Sequence, residues 1–410
     1  MLIYNIITVV ILLTTVFAYV NDRYIRWSST IGIMALSLMA SMLVVLFGHF
    51  EPALITGLVK LVKSLNFEEV LLKVMLGFLL FAGAMQINYN KLKKEVLLVM
   101  VLATLGVLIS TFLVSVLSYC IFNLFHLSMP YIYCLLFGAL ISPTDPIAVM
   151  GVLKKAGIPE SLELKITGES LFNDGVAVVI FLTIAEVAVK GTDQLTVWNV
   201  GGLFLQEAVG GLVFGALLGF FGYFILRSIN NYRVEVLITL SMVMPGYALA
   251  NYLHVSGALA MVVAGLMMGN LVRDTALSRK SWDYLGKFWG LVDEIFNAVL
   301  FLLIGFMMLV IKITSPIVII GLAMIAVVLF ARWLSVLFPV WLLRNKIRFE
   351  KNAIIILTWG GLRGGLSVAL ALSLPAALHK NEFLLITYII VVFSIIVQGL
   401  TIGKLSERLR

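Results

Sequence analysis

A polar interruption inside a long apolar stretch is the first sign of chemistry in the chain. Positions 142–146 read Ser-Pro-Thr-Asp-Pro. Pro143 and Pro146 lack a backbone N–H and push the residues before them out of the helical region, so a helix must unwind there. Unwinding leaves free carbonyl oxygens beside the Asp145 carboxylate and the Thr144 hydroxyl. Hard cations prefer an all-oxygen environment of this kind.

A second polar cluster lies in the next apolar segment, 166–189. Glu169 and Asn173 are four residues apart, as are Ser170 and Asp174. On a helix the four groups therefore share one face in two adjacent rows. A charge at mid-bilayer costs about 2.5–3.5 kcal/mol on insertion scales, which favours a functional role. The plainer interpretation is a structural cluster that joins helices.

A third motif, Trp-Gly-Gly-Leu-Arg-Gly-Gly at 359–365, contains four glycines and predicts a weak or interrupted helix. It carries Arg363, and the preceding apolar segment carries Arg332. Buried arginines are expected to pair with carboxylates. The three carboxylates of the first two motifs and these two arginines leave one negative charge, which one proton or one monovalent cation would cancel.

The composition sets the environment of these motifs. Of 410 residues, 62% are hydrophobic and 12% are charged, against about 45–50% and 25% in soluble domains. A soluble enzyme, a disordered chain and a coiled coil are excluded, and an all-α polytopic membrane protein embedded in a lipid bilayer is predicted. The net charge of +8 does not indicate nucleic acid, because basic residues gather in the cytoplasmic loops of membrane proteins.

Apolar segments alternate with loops of unequal charge. The odd-numbered loops and the C-terminus hold 21 of the 29 Lys and Arg residues, and the even-numbered loops hold five. This asymmetry places the N-terminus outside and the C-terminus in the cytoplasm. The thirteen predicted helices are 2–20, 30–48, 69–88, 96–125, 130–153, 166–189, 199–226, 233–252, 255–272, 291–311, 315–343, 352–377 and 382–403.

The order of the segments predicts an internal repeat. Segments 50–68 and 274–290 resemble amphipathic helices, and they follow the second and the ninth apolar segment, seven helices apart. Because the offset is an odd number of helices, the second copy enters the membrane in the inverted orientation. The interrupted segments 130–153 and 352–377 then occupy matching positions in the two copies, as they do at transporter binding sites. We predict a first repeat at 1–190, a linker helix at 199–227 and a second repeat at 233–404, with no soluble domain. The core motifs of the two repeats lie in 96–189 and in 315–403.

The Thr144-Asp145-Pro146 interruption, the Glu169-Ser170-x-x-Asn173-Asp174 face and the Gly-Gly-Leu-Arg-Gly run resemble the sodium/proton antiporters of the monovalent cation:proton antiporter family. The match is to the bacterial NhaP-type branch, shared with eukaryotic sodium/proton exchangers, and it covers nearly the whole chain. The resemblance implies a homodimer in the cell membrane, in which a core helix bundle moves against a dimerisation domain.

The resemblance also implies roles for single residues. Glu169 would pair with Arg363 and stabilise the moving bundle, and Arg332 matches the basic residue of the penultimate core helix. The implied site for H⁺ and for Na⁺ or Li⁺ consists of the central carboxylate Asp174 with Thr144, Ser170, Asn173 and, through water or backbone, Asp145.

These residues predict exchange of Na⁺ or Li⁺ for H⁺ by competition for Asp174, without a cofactor. Asn173 adds no second titrating charge, so one cation per proton is expected, which moves no net charge. Potassium/proton exchange by the same fold is the nearest alternative. A channel and a membrane-embedded hydrolase that uses Asp145 with Asp174 are more remote alternatives.

Overall fold

A computed structural model describes residues 2–47, 59, 66–190, 197–345, 347, 349–350 and 352–409, and the regular structure in these ranges is helical. The helices are α1 (Leu2–Val20), α2 (Ser29–Phe47), α3 (67–86), α4 (Tyr89–Leu124), α5 (Tyr131–Ile141), α6 (Ile147–Lys155), α7 (Glu160–Lys190), α8 (Val197–Arg227), α9 (Tyr232–Tyr252), α10 (Gly257–Val272), α11 (Arg279–Phe306), α12 (Ser315–Leu343), α13 (Ala353–Gly360), α14 (Gly365–Leu372) and α15 (Lys380–Leu409).

Most of these helices suit a bilayer. Among the described residues, nine helices are long and apolar enough to span a membrane, and α13 with α14, bent by 43°, would make a tenth span. Helices α5 and α10 are apolar but shorter. The all-α polytopic fold is thus confirmed, whereas the count of thirteen spans and the division into inverted repeats stay predictions.

The two predicted amphipathic segments have different outcomes. Most of 50–68 lies outside the described residues. The segment 274–290 is not a separate interfacial helix, because residues 279–290 form the first turns of α11. One face of these turns is buried through Leu285 and Trp289. The Trp289 indole donates a hydrogen bond to the Thr239 hydroxyl of α9 (3.1 Å), which explains why the amphipathic pattern packs against protein.

Packing sorts the helices into two bundles. One, here called the motif bundle, comprises α4–α7 and α12–α15, whose largest contacts are with one another. The other, here called the flanking bundle, comprises α1–α3 and α8–α11. All three sequence motifs fall in the motif bundle, and each bundle draws helices from both halves of the chain.

Both predicted helix interruptions are confirmed. The chain is non-helical at 142–146, between α5 and α6, and at 361–364, between α13 and α14. The two breaks meet: the backbone N–H of Asp145 donates to the Leu362 carbonyl (2.8 Å). Each break therefore supplies a partner for backbone groups that the other leaves free, which is how non-helical backbone survives at membrane depth.

Candidate functional site

The first break is fastened to α7 through Thr144. The Asn173 amide donates to the Thr144 hydroxyl (2.7 Å), and the Thr144 N–H donates to the Asn173 carbonyl oxygen (3.4 Å). The Ser170 hydroxyl donates to the Thr144 carbonyl. All three residues are buried. Predicted from separate motifs, they form one cluster of oxygen and amide groups.

The prolines define the ends of the break. Pro146 precedes the first turn of α6, and its carbonyl accepts hydrogen bonds from the N–H groups of Val149 (3.0 Å) and Met150 (2.8 Å). The Asp145 carboxylate caps the same turn by accepting from the Ile147 N–H (2.9 Å). The Pro143 carbonyl points instead toward Arg363. Both prolines thus support the site through the backbone geometry they impose.

Asp174 lies one turn beyond Ser170 on α7 and faces a cavity of about 700 Å³. Thr144, Asp145 and Ser170 line the same cavity. Among the described residues, Asp174 forms no ion pair and no side-chain hydrogen bond, although it lies deep in a spanning helix. The predicted carboxylates and hydroxyls therefore converge on one space.

The cavity lies between the bundles and reaches the surface on one side. Gln86 of α3 lines it from the flanking bundle. The exposed side chains of Lys91, Lys154 and Glu160 line its mouth. The cavity therefore opens at the face that carries these helix ends, and the charge asymmetry of the sequence predicts that this face is cytoplasmic.

One predicted ion pair is corrected. Glu169 pairs with Arg332, not with Arg363: the guanidinium binds both carboxylate oxygens, with Nη2 to Oε2 at 3.0 Å. Arg332 also donates to the Leu357 carbonyl (3.0 Å). Both charged side chains are almost fully buried, at 7% and 2% exposed. Arg332 reaches Glu169 from α12, whereas Arg363 sits inside the second break and is engaged with carbonyls of the first.

Arg363 binds backbone instead of a carboxylate. Its Nη1 donates to the carbonyls of Ser142 (2.6 Å) and Pro143 (3.0 Å), which the prolines freed from the helix. Its backbone N–H donates to the Ser394 hydroxyl of α15 (3.0 Å). The second break is thereby tied to the first by a charged side chain as well as by backbone.

Two cavity residues on α11 were missed by the sequence analysis. Asp293 and Glu294 line the cavity from the flanking bundle. Asp293 accepts a hydrogen bond from the Asn297 amide (3.1 Å), and Asn297 is buried. Both acids lie at the edge of the predicted span 291–311, where charges are ordinary. The available signal was the four-residue spacing of Asp293 and Asn297, which repeats the spacing of the α7 cluster.

Comparison with known proteins agrees with the family that the three motifs resemble. Residues 11–408 match the family described as "Sodium/hydrogen exchanger, transmembrane". The chain is 46% identical, over 99% of its length and 96% of the other, to the Na⁺/H⁺ antiporter NhaP of Pseudomonas aeruginosa. It is 33% identical, over 85% of each chain, to the Na⁺/H⁺ antiporter NhaH of Halobacillus dabanensis.

A solved structure supports the fold independently. The sodium proton antiporter MjNhaP1 of Methanocaldococcus jannaschii is similar with a TM-score of 0.78 and 19% identity, covering 100% of this chain and 99% of that one. The matched family consists of transporters, which excludes the hydrolase alternative. The chain therefore belongs to the transmembrane sodium/hydrogen exchanger family, as its three motifs predicted.

Proposed function

We propose that the chain is an antiporter that exchanges Na⁺, or Li⁺, for H⁺ across the cell membrane. The observation that carries the proposal is Asp174, a carboxylate that faces the cavity without a cationic partner among the described residues. A group of this kind needs a mobile positive charge, and a proton and an alkali cation both qualify. The names of the two curated relatives support the same pair of ions.

Competition for Asp174 couples the two ions. The carboxylate holds either a proton or a dehydrated cation, and a cation that binds releases the proton to cavity water. The hydroxyls of Thr144 and Ser170 and the Asp145 carboxylate supply further oxygens for the cation. An empty, charged Asp174 is costly to carry across the apolar barrier, so only loaded carriers cross.

The proposed stoichiometry is one cation per proton. Glu169 is neutralised by Arg332, and the Asn173 amide is engaged with Thr144 and does not titrate. Asp145 caps α6 through the Ile147 N–H. Asp174 is then the group that exchanges its proton, and a one-for-one cycle moves no net charge.

The two-bundle architecture supports a mechanism of alternating access. We infer that the motif bundle shifts against the flanking bundle, which closes the present cavity and opens one on the other face. The flanking bundle forms the contact between two copies in a homodimer. The N-terminus lies outside and the C-terminus in the cytoplasm, so the described cavity faces inward.

The principal test is Asp174→Asn in proteoliposomes. Proton movement driven by a sodium gradient should vanish, because the amide neither releases a proton nor neutralises a cation. Asp283→Asn is the matched control: it removes the same charge from an exposed site on α11, where Asp283 pairs with Lys287, and it should exchange normally. Retained exchange in Asp174→Asn would refute the central role of this carboxylate.

Two further measurements address stoichiometry and ion choice. An imposed membrane potential should leave the wild-type exchange rate nearly unchanged, and a strong voltage response would contradict one-for-one exchange. Sodium, lithium and potassium gradients tested in turn should drive proton movement in the first two cases. Exchange driven best by potassium would replace the sodium proposal with the potassium alternative.

A further inference from the structure

The flanking bundle contributes an acidic side chain, Asp293, to the cavity. Asp293 of α11 lines the cavity that Asp145 and Asp174 line from the motif bundle. One carboxylate oxygen, Oδ1, accepts a hydrogen bond from the Asn297 amide (3.1 Å). Asn297 is 3% exposed, so it fixes the orientation of the carboxylate from a buried position. Within the described residues, the other oxygen, Oδ2, accepts no hydrogen bond.

Close packing holds Asp293 near the breaks. Leu300, two turns further along α11, lies so close to Gly365 that a Cβ on that glycine would come within 2.6 Å of the leucine side chain. Gly365 begins α14, directly after the second break. The α11 helix is therefore pressed against the motif bundle beside the site, which keeps Asp293 on the cavity wall.

The two basic residues that line the cavity, Lys91 and Lys154, each form a salt bridge with a glutamate. At the mouth, Lys154 binds Glu163 (2.7 Å) and Lys91 binds Glu160. Within the described residues, Asp293 makes no ion pair. Because these lysines already compensate the charges of Glu160 and Glu163, they do not compensate the charge of Asp293. The cavity between the bundles therefore retains an excess of negative charge. Such a concave, low-dielectric space concentrates cations.

We propose that Asp293 forms an outer cation subsite, which holds a hydrated monovalent cation before it passes to Asp174. The cation would lie against the free Oδ2, and Asn297 acts as a positioning residue through Oδ1. This inference rests on the proposed exchange function and adds a binding step to it.

The location of Asp293 makes the subsite one-sided. Asp293 belongs to the flanking bundle, whereas Asp174 belongs to the motif bundle. When the motif bundle shifts and this cavity closes, the two carboxylates no longer share a space. Asp293 therefore assists cations that arrive through the described cavity and has no part in cations that arrive from the opposite face.

The test measures the cation dependence of exchange separately from each face, at constant ionic strength, in vesicles of known orientation. Asp293→Asn should raise the half-saturating sodium concentration on the cavity side roughly three- to tenfold, from the lost attraction. The maximal rate and the half-saturation on the other side should stay near wild type. Loss of binding without loss of turnover is the signature of an outer site.

Two variants and one control separate this role from a structural one. Asp293→Glu should restore most of the affinity, and Asn297→Ala should weaken it less than Asp293→Asn does. Asp283→Asn, on the exposed part of the same helix, should leave both faces unchanged. An equal effect of Asp283→Asn would reduce the proposal to general surface charge.

The remaining outcomes are also decisive. Unchanged half-saturation in Asp293→Asn overturns the subsite, as does a fall in maximal rate alone or an equal effect on both faces. Any of these results refutes only the subsite, provided that wild type exchanges ions and Asp174→Asn does not. If wild type itself shows no cation-coupled proton movement, the proposed function fails first.

Discussion

Two neighbouring stretches of α7 treat buried charge in opposite ways. In the paired stretch, 165–169, Lys165 is 1% exposed and lies between Glu350 (2.7 Å) and Glu95 (3.5 Å). One turn later, Glu169 is bound by the Nη1 and Nη2 atoms of the Arg332 guanidinium. In the cavity stretch, 170–174, Asp174 faces the cavity with no cationic partner among the described residues. One helix thus carries charges that complementary side chains neutralise and one charge that no described side chain neutralises.

The largest expected effect is on the paired stretch. Arg332→Met leaves Glu169 buried without its partner, and breaking a buried pair costs about 3–5 kcal/mol of unfolding free energy. Unfolding by SDS in mixed micelles would measure the loss. Adding Glu169→Leu to Arg332→Met should restore most of the stability, because it removes the stranded charge. A single variant as stable as wild type would show that the pair does not hold the bundle.

The second effect concerns the crowding between the two breaks, next to the cavity stretch of α7. A Cβ on Gly364 would lie 2.2 Å from Asp145 Oδ2, so Gly364→Ala must displace that carboxylate. We expect at least a roughly tenfold loss of exchange rate, in line with the cost of misplacing a binding group. Gly360→Ala is the control, since the nearest atom to its Cβ would be 4.0 Å away. Equal losses in both variants would attribute the effect to helix propensity instead of to Asp145.

A smaller, pH-dependent effect is expected at the charged end of α7. Burial alone would raise the pKa of Glu350, but hydrogen bonds from Lys165 and Ser161 outweigh it and lower the pKa below its ordinary value of 4.5. A lowered pKa in the folded state stabilises the fold above pH 4.5, and this contribution disappears as the pH falls through the folded pKa.

Comparison of melting temperatures between wild type and Glu350→Gln tests this contribution. The difference should be present at pH 7 and should shrink as the pH falls below about 4.5. Glu407→Gln removes an exposed carboxylate from the end of α15 and should melt like wild type at every pH. A difference for Glu350→Gln that is independent of pH would assign the effect to packing.

The smallest expected effect is the effect of the cavity stretch on the stability of the fold. Asp174→Asn removes a charge that no described residue compensates, so the unfolding free energy should stay the same or rise slightly. The SDS unfolding assay measures it directly. A loss comparable to that of Arg332→Met would mean that Asp174 has a structural partner, and the contrast between the two stretches of α7 would disappear.

Local chemistry explains what the sequence could predict. Pro143, Pro146 and the glycines near Arg363 act on their own backbone, so both breaks were predictable from a few neighbouring residues. The face shared by Ser170 and Asp174 follows from helical spacing alone. These features predict the break and the α7 cluster separately, and only the resemblance to the antiporter family assigned them to one site.

Partner choice was not predictable in the same way. Glu169 and Arg332 are 163 residues apart, and either arginine satisfies the rule that a buried charge needs a counter-charge. Only the crossing of the two breaks shows that Arg363 is occupied by carbonyls. Asp293 was missed for a related reason. A charge at the edge of an apolar segment is ordinary in a sequence, and only the tertiary structure shows that this one lines a cavity between the bundles.

The crossing of the two breaks has a consequence for biosynthesis. Arg363 and the Ser142 carbonyl that accepts its hydrogen bond are separated by 221 residues along the chain. Chains are synthesised from the N-terminus and fold in that order. The carbonyls at 142–146 are therefore synthesised and inserted before Arg363. Until Arg363 follows, they lack its guanidinium as a hydrogen-bond donor. A chain that stalls before Arg363 is inserted lacks those contacts, so the carbonyls of the first break stay without their charged donor.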